Sequence, residues 1–176
     1  MYPIARKIIF PLNKYLISGI GFGVNVTAGK ILGIHLGEDA RANTGTAVKS
    51  IGNGEVVYAA LHPGSPGKGN WGNIVIIGHR DFKNKADFYS LYGHLENPLV
   101  KMKYKVKCGQ IIGAIAKSYT SQNGWWPAHI HFAIYTGFWN GVVLPGYFRE
   151  NQKRTKFTDW QNPSYFIKYY SNKKAS

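Results

Sequence analysis

The chain has 176 residues, of which 44% are hydrophobic and 15% are aromatic. This composition excludes a disordered chain and suits one compact domain with its own core. The net charge of +14 favours a polyanionic partner, for which nucleic acid, anionic lipid and bacterial wall polymers are candidates.

Runs rich in Ile, Val, Tyr and Phe, punctuated by Gly and Pro, predict a mainly β protein built on an antiparallel sheet. The predicted strands are KIIF (7–10), YLISGIGF (15–22), EVVYAAL (55–61), GNIVIIGH (72–79), FYSLYGHL (88–95), KVKCGQIIGAIA (105–116) and HIHFAIY (129–135). The basic and apolar start of the chain resembles a secretory signal only superficially, because Pro11, Asn13 and Lys14 interrupt it. We therefore interpret it as the first strands of the domain.

The remaining segments predict loops and at most one helical turn. Residues 62–72 contain too many Gly and Pro residues for a regular element, and 137–160 is expected to be a long surface excursion. A helical turn is expected near 162–170. The sequence thus predicts a single domain over 1–176, with a core of about 9–167 and a basic tail of 168–176. No segment has the ~18 apolar residues that a transmembrane span needs, and the lone Cys108, predicted to pack within a strand, excludes an internal disulfide.

Two histidines lie one residue apart in the last predicted strand. His129 and His131 share one face, because side chains alternate along a strand. Such a pair can present metal ligands, or a ligand beside a base. Buried and paired structural histidines explain many similar patterns, so this pair alone is a weak signal.

Other potential ligands strengthen the signal. His35 precedes Asp39 by four residues, with Gly37 allowing a turn between them, and His94 ends an apolar strand. A catalytic zinc site needs three protein ligands and one open position. His35, Asp39 and one histidine of the pair would supply the ligands, and the other two histidines could act on water and on a developing oxyanion.

Three segments in this order, HLGEDARANTGTAV, LYGHL and AHIHF, resemble the lysostaphin/LytM-type zinc endopeptidases. Segments such as GNWGNIVIIGHR, VKCGQIIG and WQNPSYFI extend the resemblance over about residues 9–167. The resemblance implies an antiparallel β-sheet with a substrate groove walled by loops. It also implies one Zn²⁺ ion, hydrolysis of peptide cross-links in peptidoglycan, and a periplasmic, secreted or wall-associated location.

Carried over to this sequence, the resemblance implies a role for five residues. His35, Asp39 and His131 would bind zinc. His129 would be the general base that takes a proton from the attacking water. His94 would stabilise the tetrahedral intermediate or share the proton transfer.

Tryptophans and the remaining histidines are assigned separately. Trp125 and Trp126 stand where the family commonly has small residues, and we expect them, with Trp71, to contact substrate. We interpret His62, expected to be exposed, and His79 as structural, because neither has a partner at ligand spacing.

Two other functions are considered. A non-catalytic wall-binding relative that activates another hydrolase is the main alternative, although such relatives have typically lost metal ligands and all five positions are filled here. Specific nucleic-acid binding is suggested only by the charge and has no recognition motif to support it.

Overall fold

The computed structural model describes residues 1–27, 33–151 and 154–171. Thirteen strands, one 3₁₀ helix and one α-helix make up its regular structure. They are β1 (Ile4–Ala5), β2 (Asn25–Val26), β3 (Gly33–His35), β4 (Glu38–Arg41), β5 (Ala47–Lys49), β6 (Gly54–His62), β7 (Gly72–Asp81), β8 (Asp87–Glu96), β9 (Lys105–Val106), β10 (Ile111–Ile115), β11 (His129–Tyr135), β12 (Tyr147–Phe148), the 3₁₀ helix Phe157–Asp159, β13 (Trp160–Gln161) and α1 (Pro163–Ser171). The predicted mainly β, antiparallel fold is confirmed.

The large sheet has the strand order β13-β11-β8-β7-β6-β9. Strand β4 pairs antiparallel with the first half of β11, and β13 pairs with its last two residues. Strand β10 pairs with β5 and β8, and β1 adds a parallel pair to β7. A smaller sheet has the strand order β12-β3-β2, and its central strand β3 directly precedes β4 in the chain.

Alternation along β7 and β11 produces a core on each face of the large sheet. Ile130, Phe132 and Ile134 belong to one cluster, which helix α1 covers through Ile167. Ala133 and Tyr135 belong to the second cluster. Because His129 and His131 have the same parity as Ala133 and Tyr135, both histidines lie on the sheet face opposite the helix.

The prediction that KIIF and YLISGIGF form the first strands is wrong. KIIF forms no strand, although Ile8 is buried and Ile9 donates a backbone hydrogen bond to Ile51. YLISGIGF contributes a single bridge at Ile17. Pro11 and the glycines of 15–22 interrupt the regular ladder, so these residues run alongside the sheet instead of joining it.

Three further sequence expectations need correction. Cys108 is half-buried in a turn between β9 and β10, where Gly109 has φ +82°, so the predicted strand 105–116 is broken there. The predicted helical turn is confirmed as α1, which includes residues 168–171 of the expected tail; residues 172–176 lie outside the described part. Within 137–160, β12 joins the small sheet and Leu144 is buried, so this segment is more than a surface excursion.

Two of the expected loop features have structural partners. Residues 62–72 connect β6 to β7, as predicted, and their backbone bonds to the turn at 121–124. His62 ends β6, is half-buried and bonds to the hydroxyl of Tyr58 at 2.8 Å, so its expected exposure is only partial.

In the described part of the chain, no helix is both long and apolar enough to cross a membrane.

Candidate active site

Strand pairing brings two of the predicted ligands together. In the β4–β11 pair, Asp39 lies directly opposite His131. Residues directly opposite in an antiparallel pair project to the same face, so the carboxylate meets the imidazole. Glu38 points to the other face, where Tyr15 and Ser164 hydrogen-bond to its carboxylate, and this explains why it stays outside the site.

The turn between β3 and β4 brings in the third predicted ligand. His35 ends β3, and its ring lies 4.7 Å from that of His131, centroid to centroid. Gly37 in the turn passes so close that a Cβ there would lie 2.6 Å from Nε2 of His131 and 2.6 Å from the carbonyl oxygen of Phe132. Any side chain at position 37 would therefore push the two rings apart.

Three donor atoms form a small triangle at the centre of the site. Nε2 of His35 is 3.3 Å from Oδ1 of Asp39 and 3.0 Å from Nδ1 of His131, which is itself 3.0 Å from Oδ1 of Asp39. Ligands of a tetrahedral zinc ion at 2.0–2.1 Å lie about 3.3 Å apart. The triangle therefore has the dimensions of three corners of a zinc site.

The hydrogen-bonding chemistry of these atoms also fits a cation. Nδ1 of His35 lies 3.1 Å from the carbonyl oxygen of Gly21, so it carries the proton and leaves a lone pair on Nε2. The carboxylate of Asp39 only accepts. A single proton on Nδ1 of His131 cannot satisfy all three contacts, whereas one cation among the lone pairs would.

Electrostatics keep the carboxylate charged and one ring neutral. Burial alone would raise the pKa of Asp39, but hydrogen bonds with His131 and His35 overcome this and hold it well below its usual range. Burial lowers the pKa of His131 to about 4 despite its bond to Asp39. Asp39 thus offers an anionic oxygen and His131 a neutral imidazole nitrogen near pH 7, which are the protonation states that metal ligation requires.

The two remaining predicted histidines lie next to this triangle with defined tautomers. His129 donates Nδ1–H to the carbonyl of Pro127 at 2.6 Å, and His94 donates Nδ1–H to the carbonyl of Asn123 at 2.8 Å. In the neutral form of each ring, these bonds leave the lone pair on Nε2. Nε2 of His129 lies 3.8 Å from Oδ1 of Asp39. Burial, followed by repulsion from His129 and His131, lowers the pKa of His94 well below its ordinary value.

A bulge in β8 places His94 in the site. Between the pairs Asn73–Leu95 and Val75–Tyr92, β8 carries one more residue than β7. His94 adopts φ +64°, a left-handed conformation that is rare for residues other than glycine, and its amide bonds to the carbonyl of Trp71. Strict alternation would separate His94 from the face of Gly93, but this backbone turns its ring to 4.4 Å from that of His129.

The donor triangle opens onto a groove of about 1040 Å³. Trp71, Trp125 and Trp126 line it, as do His94 and His129. Trp126 donates its indole N–H to the carbonyl of Asn70, which joins the two loops of this wall. Seven of the eight sequence-predicted site residues line this groove: Asp39, Trp71, His94, Trp125, Trp126, His129 and His131. The eighth, His35, is fully buried and contacts Asp39 and His131.

Trp71 reaches the site because the neighbouring strand has no side chain there. Gly93 is opposite His131, and a Cβ on it would lie 2.8 Å from Cε3 of the Trp71 ring. The indole consequently packs nearly perpendicular to the His131 ring at 4.9 Å. Trp71 also packs against the second core cluster, as does Trp139, and Trp160 is a buried member of it. Of these three tryptophans, Trp71 lines the groove and the other two do not.

Several groove residues escaped the sequence reasoning. Tyr147 pairs with His35 across β3 and β12, and the two rings are 5.1 Å apart. Burial, followed by the nearby charge of Asp39, raises the pKa of Tyr147 to about 12, so the phenol stays protonated. No described residue hydrogen-bonds to this hydroxyl. The only sequence signal for Tyr147 was an aromatic within 137–160, a segment that no motif connects to the site.

Comparisons with known proteins agree with this geometry. The chain is 32% identical to the outer membrane antigenic lipoprotein B of Haemophilus influenzae over 134 residues, which cover 70% of this chain and 29% of that protein. It is 33% identical to the murein hydrolase activator NlpD of Escherichia coli over 108 residues, or 61% of this chain and 24% of that protein. The chain therefore spans less than a third of the length of either relative.

Solved structures share the fold. Lysostaphin from Staphylococcus simulans superposes with a TM-score of 0.59 at 24% identity, covering 98% of this chain and 58% of that one. A zinc-containing peptidase from Vibrio cholerae superposes with a TM-score of 0.58 at 27% identity, covering 74% of this chain and 37% of that one. Residues 23–144 match the family described as Peptidase family M23, and the chain therefore belongs to peptidase family M23.

Proposed function

We propose that this chain is a zinc metalloendopeptidase that hydrolyses peptide cross-links of bacterial peptidoglycan. The observation that carries the proposal is the convergence of one carboxylate oxygen and two imidazole nitrogens within 3.0–3.3 Å of one another, at the base of a large groove. Two further histidines, His94 and His129, lie beside the triangle with their rings 4.4 Å apart.

His35, Asp39 and His131 would hold the zinc ion, through Nε2, Oδ1 and Nδ1 respectively. Two histidines and one carboxylate are a ligand set of other zinc peptidases. When bound, zinc acts as a Lewis acid and lowers the pKa of water to about 7. The zinc-containing peptidase of Vibrio cholerae, which shares this fold, supports the choice of metal.

His129 is the proposed general base. Its Nδ1–H is held by the carbonyl of Pro127, so Nε2 is free to accept the proton of the attacking water. This nitrogen is 3.8 Å from Oδ1 of Asp39, so the proposed base lies beside the donor triangle. The backbone contact fixes both the tautomer and the ring orientation, which limits the reorganisation needed during proton transfer.

His94 and Tyr147 are proposed to share the remaining steps. With its Nδ1–H bonded to the carbonyl of Asn123, neutral His94 can accept a proton at Nε2 and later pass it on. Before it accepts that proton, Nε2 has no hydrogen to donate to an oxyanion. Its tautomer thus favours proton transfer over direct stabilisation of an oxyanion. The protonated phenol of Tyr147 is the better donor to an oxyanion that develops on the substrate carbonyl.

Peptidoglycan as the substrate follows from the family and its relatives, one of which is named a murein hydrolase activator. The net charge of +14 would also hold the protein on anionic wall polymers. The family and these relatives also support a periplasmic, secreted or wall-associated location. Trp71, Trp125 and Trp126 offer apolar walls against which a peptide would pack.

Mass spectrometry of peptidoglycan fragments tests the proposal. The zinc-loaded protein is expected to release cleaved cross-link peptides, and a chelator is expected to stop the release. H131A should lose zinc and activity, whereas H129A should keep zinc and lose about 10²- to 10⁴-fold in turnover. H62A is the matched control, because His62 does not line the groove that contains the donor triangle. Full activity in H129A would remove the general-base assignment.

Activation of another hydrolase is the second candidate function, favoured by the resemblance to NlpD. It predicts that the chain stimulates a separate hydrolase without cutting peptides itself. Elemental analysis separates the candidates: close to one zinc per chain supports the peptidase, while a folded, zinc-free chain that still stimulates a hydrolase supports the activator.

A further inference from the structure

Three cationic side chains line the groove from three different segments. Arg41 ends β4, Lys68 lies in the loop 62–72, and Arg149 follows β12. All three are exposed, and no described residue forms a salt bridge with any of them. The only carboxylate among the residues that line the groove is Asp39, which belongs to the donor triangle.

Strand pairing places Arg41 and Arg149 near residues of the donor triangle. Arg41 is opposite His129 in the β4–β11 pair, two residues beyond Asp39. Arg149 lies beside Gly33, two residues before His35, and its Cγ would be 3.2 Å from a Cβ placed on that glycine. A peptide bound at the triangle would therefore share the groove with both arginines.

Groove charges of one sign concentrate ligands of the opposite sign. Guanidinium groups match carboxylates in particular, through paired hydrogen bonds. Neutral bridges, such as oligoglycine, would leave these cations without a partner. From this charge pattern we propose that the groove selects a cross-link peptide that carries free carboxylates close to the scissile bond.

This inference rests on the proposed function, but binding tests it separately from hydrolysis. The probes are a synthetic cross-linked stem-peptide dimer with free side-chain carboxylates, the same dimer with those groups amidated, and pentaglycine. Affinities are measured by calorimetry with the H129A variant, and cleavage is measured with the wild-type, zinc-loaded protein.

The free-carboxylate dimer is expected to bind at least about tenfold more tightly than the amidated dimer, the effect of losing one charged hydrogen bond. R41Q and R149Q should each weaken binding of the free dimer by about tenfold and leave the amidated dimer unchanged, which also controls for folding. R6Q, which removes an exposed charge outside the groove lining, should change neither.

Equal affinity for the free and amidated dimers, or a preference for pentaglycine, would overturn the inference. It would also be overturned if R6Q weakens binding as much as R41Q and R149Q, because the total charge would then explain the effect. Cleavage without any carboxylate preference would leave the peptidase proposal intact. If the protein binds the free-carboxylate dimer selectively but the zinc-loaded form does not cleave it, the inference stands and the peptidase proposal is rejected.

Discussion

His79 is a buried histidine outside the candidate site, and its titration predicts how the fold responds to acid. It lies in β7 and is fully buried, with its ring stacked 4.9 Å from that of Phe88. Nδ1–H donates to the carbonyl of Asn53 at 2.7 Å, and Nε2 accepts from the hydroxyl of Ser90 at 2.7 Å. Protonating Nε2 would replace this accepted bond with a buried, uncompensated charge.

Burial lowers the pKa of His79 from 6.5 to about 4, against the weaker opposite effect of the Asn53 bond. Between pH 6.5 and 4 the unfolded chain therefore binds a proton that the folded chain does not. The stability that neutral His79 preserves is complete above pH 6.5 and is lost as the pH falls. Below pH 4 the loss reaches about 3 kcal/mol.

Urea denaturation followed by tryptophan fluorescence measures this effect. We expect H79Q to be less stable than wild type at pH 7, because it loses packing and hydrogen bonds. The gap between the two proteins should narrow by about 2–3 kcal/mol at pH 4. I76V, which alters a buried residue of the same strand that cannot titrate, should show no such narrowing.

A gap that stays constant between pH 7 and pH 4 would refute the reasoning. If H79Q does not fold, NMR titration of the wild-type imidazole gives the answer directly. A His79 ring that becomes protonated near pH 6.5 in the folded protein would contradict the predicted cost of burial.

Three other perturbations probe the site. Y147F should keep its fold and zinc content but lose about 10²-fold in kcat, as for removal of one oxyanion donor; an unchanged kcat for peptide cleavage would reject the donor role. G93A should displace Trp71, because the new Cβ would lie 2.8 Å from its ring. It should destabilise the fold by about 1–3 kcal/mol and raise KM, and an unaltered near-ultraviolet circular dichroism spectrum would contradict this. Chelation should abolish peptide cleavage and added zinc should restore it; cleavage that persists in a zinc-free sample, verified by elemental analysis, would reject the metal assignment.

Local sequence pattern predicted much of the fold, whereas the five site residues were predicted from the resemblance carried by three ordered motifs, and their roles remain predictions. The alternation in HIHFAIY placed His129 and His131 on one face, and β11 has the predicted bounds. The central strands β6, β7 and β8 also follow their apolar runs closely. β7 and β8 are buried over most of their length, so apolar residues occupy both faces of these strands. Short strands such as β3 and β4 were not predicted, since their pairing partners, more than their composition, determine them.

The amino-acid pattern alone therefore defines the chemistry available: which histidines and carboxylate could meet, and on which face of a strand. Three features arise only in the folded chain, namely the bulge that turns His94 into the groove, the glycine gap filled by Trp71, and the approach of Tyr147 to His35. They escape the pattern because each contact joins residues about 20 to 110 positions apart. Side-chain periodicity carries information over one strand or helix, whereas strand register and close backbone approach arise only when distant segments pack together.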